Sequence, residues 1–401
     1  MKRKIIPILV IVLLIILSAC GNQQSSSNSS SNNSNSSNSN SNNEAEKAED
    51  TGNKDDGDSI TIGAILPLTG PGATTGENMK MGIDFAVEDI NNAGGVNGKQ
   101  LVVDYQDGKG DPKASVLAAQ NLTAKGYSFA LTTYSSATLA ILPVAERGKM
   151  TLVNGGAQSD ALAGASPYLF NTIPLLGHEV DVLAKYAAEE GNIKTAFIIH
   201  NDEDAGHSGL EKFTEQFESN GGKVVGSATH RVGETNFRSI ILKAKSSNAD
   251  AIYIASYDQD AKMIIDQIRE LGLKQQILVT SWVIFEDLIK SPNGQGIIYS
   301  QLALDPEKEW MDRFSKKYNT EMAQLFNVTY YDSVMVFKEA YEYAVEKGYG
   351  TDGDALKKAI SEIKKFDSIS GSIEFNDDGT SIRPVNIAVI KDQSTQIIKE
   401  Y

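Results

Sequence analysis

Three stretches of this chain concentrate small hydroxyl and amide side chains: Thr69–Gly76, Thr132–Thr138 and Asn154–Asp160. Each follows a short apolar run, and the second leads into a helical pattern that starts near Thr138. Hydroxyls beside the free backbone N–H groups of a helix start suit a carboxylate or another small polar group. Ser and Thr also serve as ordinary helix caps. One such loop favours capping; three at successive strand ends bring ligand binding level with it. Catalytic arrangements are thin. The four histidines, His178, His200, His207 and His230, lack the His-Glu-x-x-His spacing of a metal site. Gly206-His207-Ser208-Gly209 falls short of the Gly-x-Ser-x-Gly nucleophile turn. The chain therefore reads as a binder and not an enzyme, with no metal and no cofactor expected. Trp282 follows an apolar run in a loop, where it either lines a cleft or packs one lobe.

The elements that must hold these loops alternate. Strand-like runs are Ile60–Leu66, Gln100–Tyr105, Phe129–Thr132, Thr151–Val153, Thr195–His200, Lys223–Ala228, Ala251–Ser256 and Gln276–Thr280. Helical patterns separate many of them: Asn78–Asn91, Pro112–Lys125, Glu179–Glu190, Ser208–Asn220, Phe237–Ser246 and Asp258–Leu271. Such alternation predicts parallel sheets with helices on both faces. The strands exceed one comfortable sheet, so the expected fold is α/β with two doubly wound lobes. Further helices are expected at Pro306–Asn319, Asn327–Lys347 and Leu356–Ile363, then strands at Ile373–Asn376, Val385–Lys391 and Thr395–Lys399. Trp310, Phe314 and Tyr318 recur at helical spacing and read as core, as do Tyr330 and Tyr331.

The chain ends and its charge narrow the setting. Lys2, Arg3 and Lys4 precede an apolar run from Ile5 to Leu17, too short for a spanning helix but suited to a signal peptide. Leu17-Ser18-Ala19-Cys20-Gly21 then resembles the lipobox of bacterial lipoproteins, which implies cleavage before Cys20 and acylation of its thiol. Cys20 is the single cysteine, so an intramolecular disulfide framework and a thiolate metal cluster are excluded. Residues 21–58 carry no apolar side chain larger than alanine and read as a tether with a span of about 35 Å. A net charge of −15 over 401 residues argues against nucleic-acid binding. Gly70-x-Gly72-x-x-x-Gly76, with Asp104 as a ribose partner, invites a dinucleotide reading, but a lone glycine pattern is weak and export argues against it.

From Ile60 onward the chain resembles the type I periplasmic solute-binding proteins of ABC importers, in the leucine/isoleucine/valine-binding branch. The resemblance rests on Ile62-Gly63-Ala64-Ile65-Leu66-Pro67-Leu68-Thr69-Gly70-Pro71 and on the run from Gly82 through Asp89-Ile90-Asn91 to Gly94-Gly95 and Gly98. Asp107, Asp111-Pro112, Ser135-Ser136-x-Thr138, Tyr330-Tyr331-Asp332-Ser333 and Ser370-Gly371-x-Ile373-x-Phe375 support it. It implies two lobes joined by a three-crossing hinge, one of residues 59–176 with 304–373, the other of 177–303 with 374–401. A ligand would bind between them, with Thr75, Ser135, Ser136, Gly156, Gln158, Tyr257 and Trp282 as contacts. Ser135 and Gln158 fall where the family holds a ligand carboxylate, Gly156 where a carbonyl meets the ammonium. Two positions depart from the pattern: the usual tyrosine is Ala205, and the ammonium-facing acid falls at Ser281 or Trp282. Glu286 or Asp204 could replace that acid only if loops reposition them. The implied protein is a monomeric, lipid-anchored receptor on the outer face of the membrane, serving an ABC permease; a sensory receptor ectodomain of the same fold is the alternative.

Overall fold

The computed structural model describes residues 57–304, 306–320 and 323–401; the leader, Cys20 and nearly all of the tether lie outside them. The first apolar runs become β1 (Ser59–Leu66), β2 (Gln100–Asp107), β3 (Phe129–Thr132), β4 (Thr151–Asn154) and β5 (Leu169–Asn171). They form one parallel sheet in the order β2-β1-β3-β4-β5. Every residue of β3, β4 and β5 is buried, as expected for strands covered on both faces. One cover is α2 (Pro112–Ala124) and α3 (Ser135–Gly148); the other includes α1 (Ala73–Asn92). Asp111 caps α2 by accepting from Ala114 N at 2.8 Å, and Pro112 fills the first helical position, where no N–H is needed.

The second sheet collects β6 (Thr195–Asn201), β7 (Lys223–His230), β8 (Ala251–Ala255), β9 (Gln276–Val279) and β10 (Ile298–Leu302). Its helices are α4 (Leu176–Glu189), α5 (Asp204–Ser219), α6 (Arg238–Ser246), α7 (Asp258–Glu270) and the short α8 (Glu286–Lys290). Next come α9 (Lys308–Tyr318), α10 (Leu325–Glu346) and α11 (Gly353–Ile363), whose apolar faces join the core of the first sheet. The hairpin β11 (Lys365–Ser368) and β12 (Gly371–Glu374) stands apart from both sheets. The chain then returns as β13 (Val385–Lys391) and β14 (Ser394–Glu400). These last two pair antiparallel, so the order β14-β13-β10-β9-β8-β6-β7 has a parallel body with an antiparallel edge. The sequence pattern predicts only parallel pairing; the returning chain instead meets β10 antiparallel as β13, and a two-residue turn at Asp392-Gln393, both with positive φ, folds β14 back along β13.

Two helix starts correct the sequence reading. Thr74, Thr75 and Gly76 read as loop but lie in the first turn of α1, and α3 begins at Ser135 rather than near Thr138. Gly76 permits the first: a Cβ there would lie 2.2 Å from the carbonyl oxygen of Pro67, where the helix grazes the end of β1. The sequence pattern gives no strand at β5, β10 or β11: β5 has only three residues, Ser300 and Gln301 interrupt the apolar pattern of β10, and β11 has Phe366 as its one apolar residue.

Chain passages between the two sheets occur three times, after β5, after β10 and after β12. The third is pinned by a buried ion pair. Arg383 Nη2 donates to Asp332 Oδ2 of α10 at 2.9 Å, with side chains 3% and 0% exposed. Ser368 Oγ donates to the same carboxylate at 2.6 Å, and Arg383 Nη1 to Ser370 Oγ at 2.8 Å. Removing one partner leaves a buried charge uncompensated. Arg383→Met is expected to lower stability to urea by about 3–5 kcal/mol. The double variant Arg383→Met with Asp332→Leu is expected to recover most of that loss in the same denaturation experiment.

Candidate ligand-binding cleft

The carboxyl ends of both sheets supply the residues singled out by the sequence. Thr75 stands on the first turn of α1, Ser135 on that of α3, and Gly156 and Gln158 follow β4. Across from them, Tyr257 follows β8 and Trp282 sits in a one-turn 3₁₀ helix after β9. These six line one narrow pocket of about 20 Å³. Ala205, the position lacking the usual tyrosine, lines it too. Ser136 does not; its hydroxyl donates to Glu203 of the other lobe, a tie between the lobes beside the cavity. Sequence reasoning missed Tyr134 and Phe326, both of which contribute to the wall.

Tyr134 has φ +55° and ψ 130°, a conformation that side chains normally avoid. Its ring is held by two glycines: a Cβ at Gly72 would lie 2.3 Å from its hydroxyl, and one at Gly110 2.5 Å from its Cε2. From there it meets Tyr257 of the second lobe at 5.2 Å between centroids, and Tyr257 meets Trp282 edge-on at 5.9 Å. No side chain caps α3, whose first residue is Ser135. Ser135 Oγ accepts from Ser159 N at 3.1 Å, which leaves its own proton to donate to a ligand at the positive end of the helix.

Behind the cavity lies a buried polar relay. Gln158 Nε2 donates to Pro174 O at 2.8 Å and to Glu179 Oε1 at 2.9 Å, while its Oε1 accepts from Trp282 Nε1. Glu179, fully buried on α4, also accepts from Ser281 N at 3.2 Å, Ser281 Oγ at 2.9 Å and Ser300 Oγ at 3.2 Å. Its carboxyl is pushed above the usual range by burial, against the pull of those donors. The sequence offered one signal for it: Glu179 falls on the apolar stripe Leu176, Val180, Leu183, Ala187. Trp282 thus combines both roles open to it in the sequence, cleft wall and buried packing residue.

Beyond Thr75 the cleft widens into an outer space of about 280 Å³. Glu286 stands there, accepting from Thr320 Oγ1 at 2.9 Å, and Asp204 lines neither space. Two of the histidines serve structure: His178 Nε2 donates to Arg383 O at 2.8 Å, and His230 Nε2 pairs with Ser256 Oγ at 3.1 Å.

Two α/β lobes closing on a small cavity define a solute-binding protein. Residues 59–395 match the family model described as periplasmic binding protein, and the chain belongs to that family. It is 27% identical over 332 residues to the Leu/Ile/Val-binding protein homolog 3 of Brucella melitensis, covering 81% of this chain and 89% of the relative. A leucine-binding protein from Thermotoga maritima superposes with a TM-score of 0.77 at 22% identity, over 85% of this chain and 98% of that one. A solute-binding protein of an ABC transporter from R. palustris, solved with benzoate, gives 0.78 at 17% identity, over 85% and 96%. The fold is that of the type I periplasmic binding proteins. No helix among the described residues is long and apolar enough to cross a membrane.

The Glu179 relay sets a pH dependence. A carboxyl whose pKa is raised in the folded state binds protons more readily folded than unfolded, so its contribution to stability falls as pH rises. The window runs from its ordinary value of 4.5 up to the raised folded value. Glu179→Gln removes that contribution. Urea denaturation from pH 5 to pH 8 is expected to show the wild type losing stability relative to the variant as pH rises.

Proposed function

We propose that this chain is the extracytoplasmic receptor of an ABC importer, closing its lobes over a small solute and presenting it to a permease. The observation that carries the reading is the cavity itself, ringed by loop and helix-start residues from the carboxyl ends of both sheets. In this reading the lobes are residues 59–176 with 304–373 and residues 177–303 with 374–401, and the chain acts as a monomer without catalysis. Thr75, Ser135, Gly156, Gln158, Tyr257 and Trp282 contact the ligand directly. Ser136 acts in closure, through Glu203. A ligand carboxylate takes the Ser135 hydroxyl and the start of α3; Gln158 shapes the wall while its amide stays on Glu179 and Trp282. The names of the relatives, which are those of binding proteins, favour import over a sensory role.

Closure follows from differential contact: a ligand favours the closed state only by what it touches there and not in the open state. Small-angle scattering is expected to show compaction on adding the ligand, and thermal shift to show stabilisation that grows with ligand concentration. Absence of compaction with every amino acid, amide and carboxylate tried would remove the proposal. Ser135→Ala is expected to weaken a carboxylate ligand about tenfold, the loss of one charge-assisted hydrogen bond, as read by calorimetry.

Anchoring rests on the leader and on the Leu17-Ser18-Ala19-Cys20 motif. The thiol of Cys20 would carry the lipid, with more than one acyl chain needed for stable attachment. Cys20→Ser is expected to abolish incorporation of an alkyne-labelled fatty acid and to shift the protein out of the membrane fraction.

A further inference from the structure

We infer that Tyr134 is a positioning residue for lobe closure: a slot between two glycines aims its ring across the cleft, where it seats Tyr257 of the second lobe. This rests on the solute-receptor reading above and names a residue through which its lobes meet. Two local rules are broken at Tyr134. It is the N-cap of α3, its carbonyl accepting from Thr138 N at 2.8 Å, yet its side chain makes no cap bond. Ser, Thr, Asp, Asn or Gly is the usual residue there. Its φ of +55° with ψ 130° is also a backbone that side chains avoid. Such conformations persist only where the surroundings over-determine them.

Here the surroundings are the loops after β1 and β2. A Cβ at Gly72 would lie 2.3 Å from the Tyr134 hydroxyl oxygen and 3.1 Å from Cζ; one at Gly110 would lie 2.5 Å from Cε2 and 2.7 Å from Cδ2. Gly72 has φ −89° and ψ 9°, which alanine also adopts, so the Tyr134 ring is the nearest obstacle to a side chain there. The glycine pattern that invited a dinucleotide reading has a different reason at this position. From its slot the ring meets Tyr257, the N-cap of α7, at 5.2 Å. Tyr257 meets Trp282 at 5.9 Å, and the indole N–H returns to Gln158 of the first lobe. The row of rings is thus held at both ends by the first lobe, at one end by Gln158 and at the other by Tyr134. Tyr134 also precedes Ser135 directly, so it joins the hydroxyl that opens α3 to the contact made when the lobes close.

Closure can be read without a ligand. Ser159 Oγ and Ser208 Oγ lie 3.1 Å apart on opposite lobes, so Ser159→Cys with Ser208→Cys places a thiol pair that bonds only in the closed arrangement. In a chain that also carries Cys20→Ser, this pair holds the only thiols. Its effective molarity in glutathione redox buffers then scales with the closed population. Tyr134→Gly, which keeps the backbone and removes the ring, is expected to lower that value about three- to tenfold, and Tyr134→Phe to change it less than about twofold. Gly72→Ala is expected to lower it too, and adding Tyr134→Phe, which removes the clashing hydroxyl, to recover most of the loss. Tyr257→Leu is expected to lower it without adding to Tyr134→Gly, as for residues acting through one contact. In urea, Tyr134→Gly is expected to be more resistant than Tyr134→Ala, the reverse of the usual order, because only glycine relieves the positive φ. An effective molarity unchanged in Tyr134→Gly, or a loss in Gly72→Ala that Tyr134→Phe does not relieve, overturns the inference and leaves the receptor reading standing. A thiol pair that stays reduced in the parent chain under every buffer overturns closure itself, and both readings with it.

Discussion

The side chain of Gln158 is the constraint on which the cleft depends. Its amide joins a loop of the first lobe to Glu179 and Trp282 of the second, and to the Pro174 carbonyl on the first passage between them. Both amide protons and one lone pair of its oxygen go to protein, so its side chain is held in place in this arrangement of the lobes. Trp282 inherits that fixity through its indole N–H, and Tyr257 through its contact with Trp282. Gln158 therefore does more for the wall than any residue that merely lines it. Placing a carboxyl group without a cation behind this wall is tolerable only because four donors surround it.

Closure is held by contacts of unlike strength. Ser136 to Glu203, and Ser159 Oγ to Ser208 Oγ at 3.1 Å, are hydrogen bonds that water replaces readily when the lobes part. The Tyr134–Tyr257 contact adds apolar surface, but at Tyr134 it is coupled to a backbone conformation costing about 1–3 kcal/mol. Weak ties of this kind suit a receptor that must release its ligand. A large apolar interface would hold the lobes shut without one, and ligand contacts would then shift no population.

Much of the fold was legible because its strands are short apolar runs buried on both faces, a pattern that survives without knowledge of the partners. What was not legible depends on distant residues. The start of α1 was hidden because Thr and Gly are poor helix formers, while close approach to Pro67 decides that Gly76 belongs there. The antiparallel edge depends on the direction in which the returning chain meets β10 and on the turn after β13, neither of which the apolar pattern carries. In the cleft, hydroxyl-rich loops pointed to Ser135, and the family resemblance to Thr75, Gly156, Gln158 and Tyr257. Tyr134 went unremarked because its meaning lies in two glycines from other loops.

Glu179 shows most clearly why a pattern read position by position falls short. The sequence places Ser281 or Trp282 where an acid is usual, and read alone this is a deletion of charge. In the structure a carboxylate does reach Ser281, but from α4, and Ser281 donates to it from both N and Oγ. That carboxyl stands behind the wall. Gln158 separates it from the cavity, and the space at the wall goes to the indole of Trp282. A carboxylate facing the cleft would attract a cationic ligand; the same group, saturated by donors, serves to position Gln158 and Trp282. Trp282 and Glu179 are parts of one arrangement, because the indole N–H needs an acceptor and Glu179 orients the glutamine that provides it.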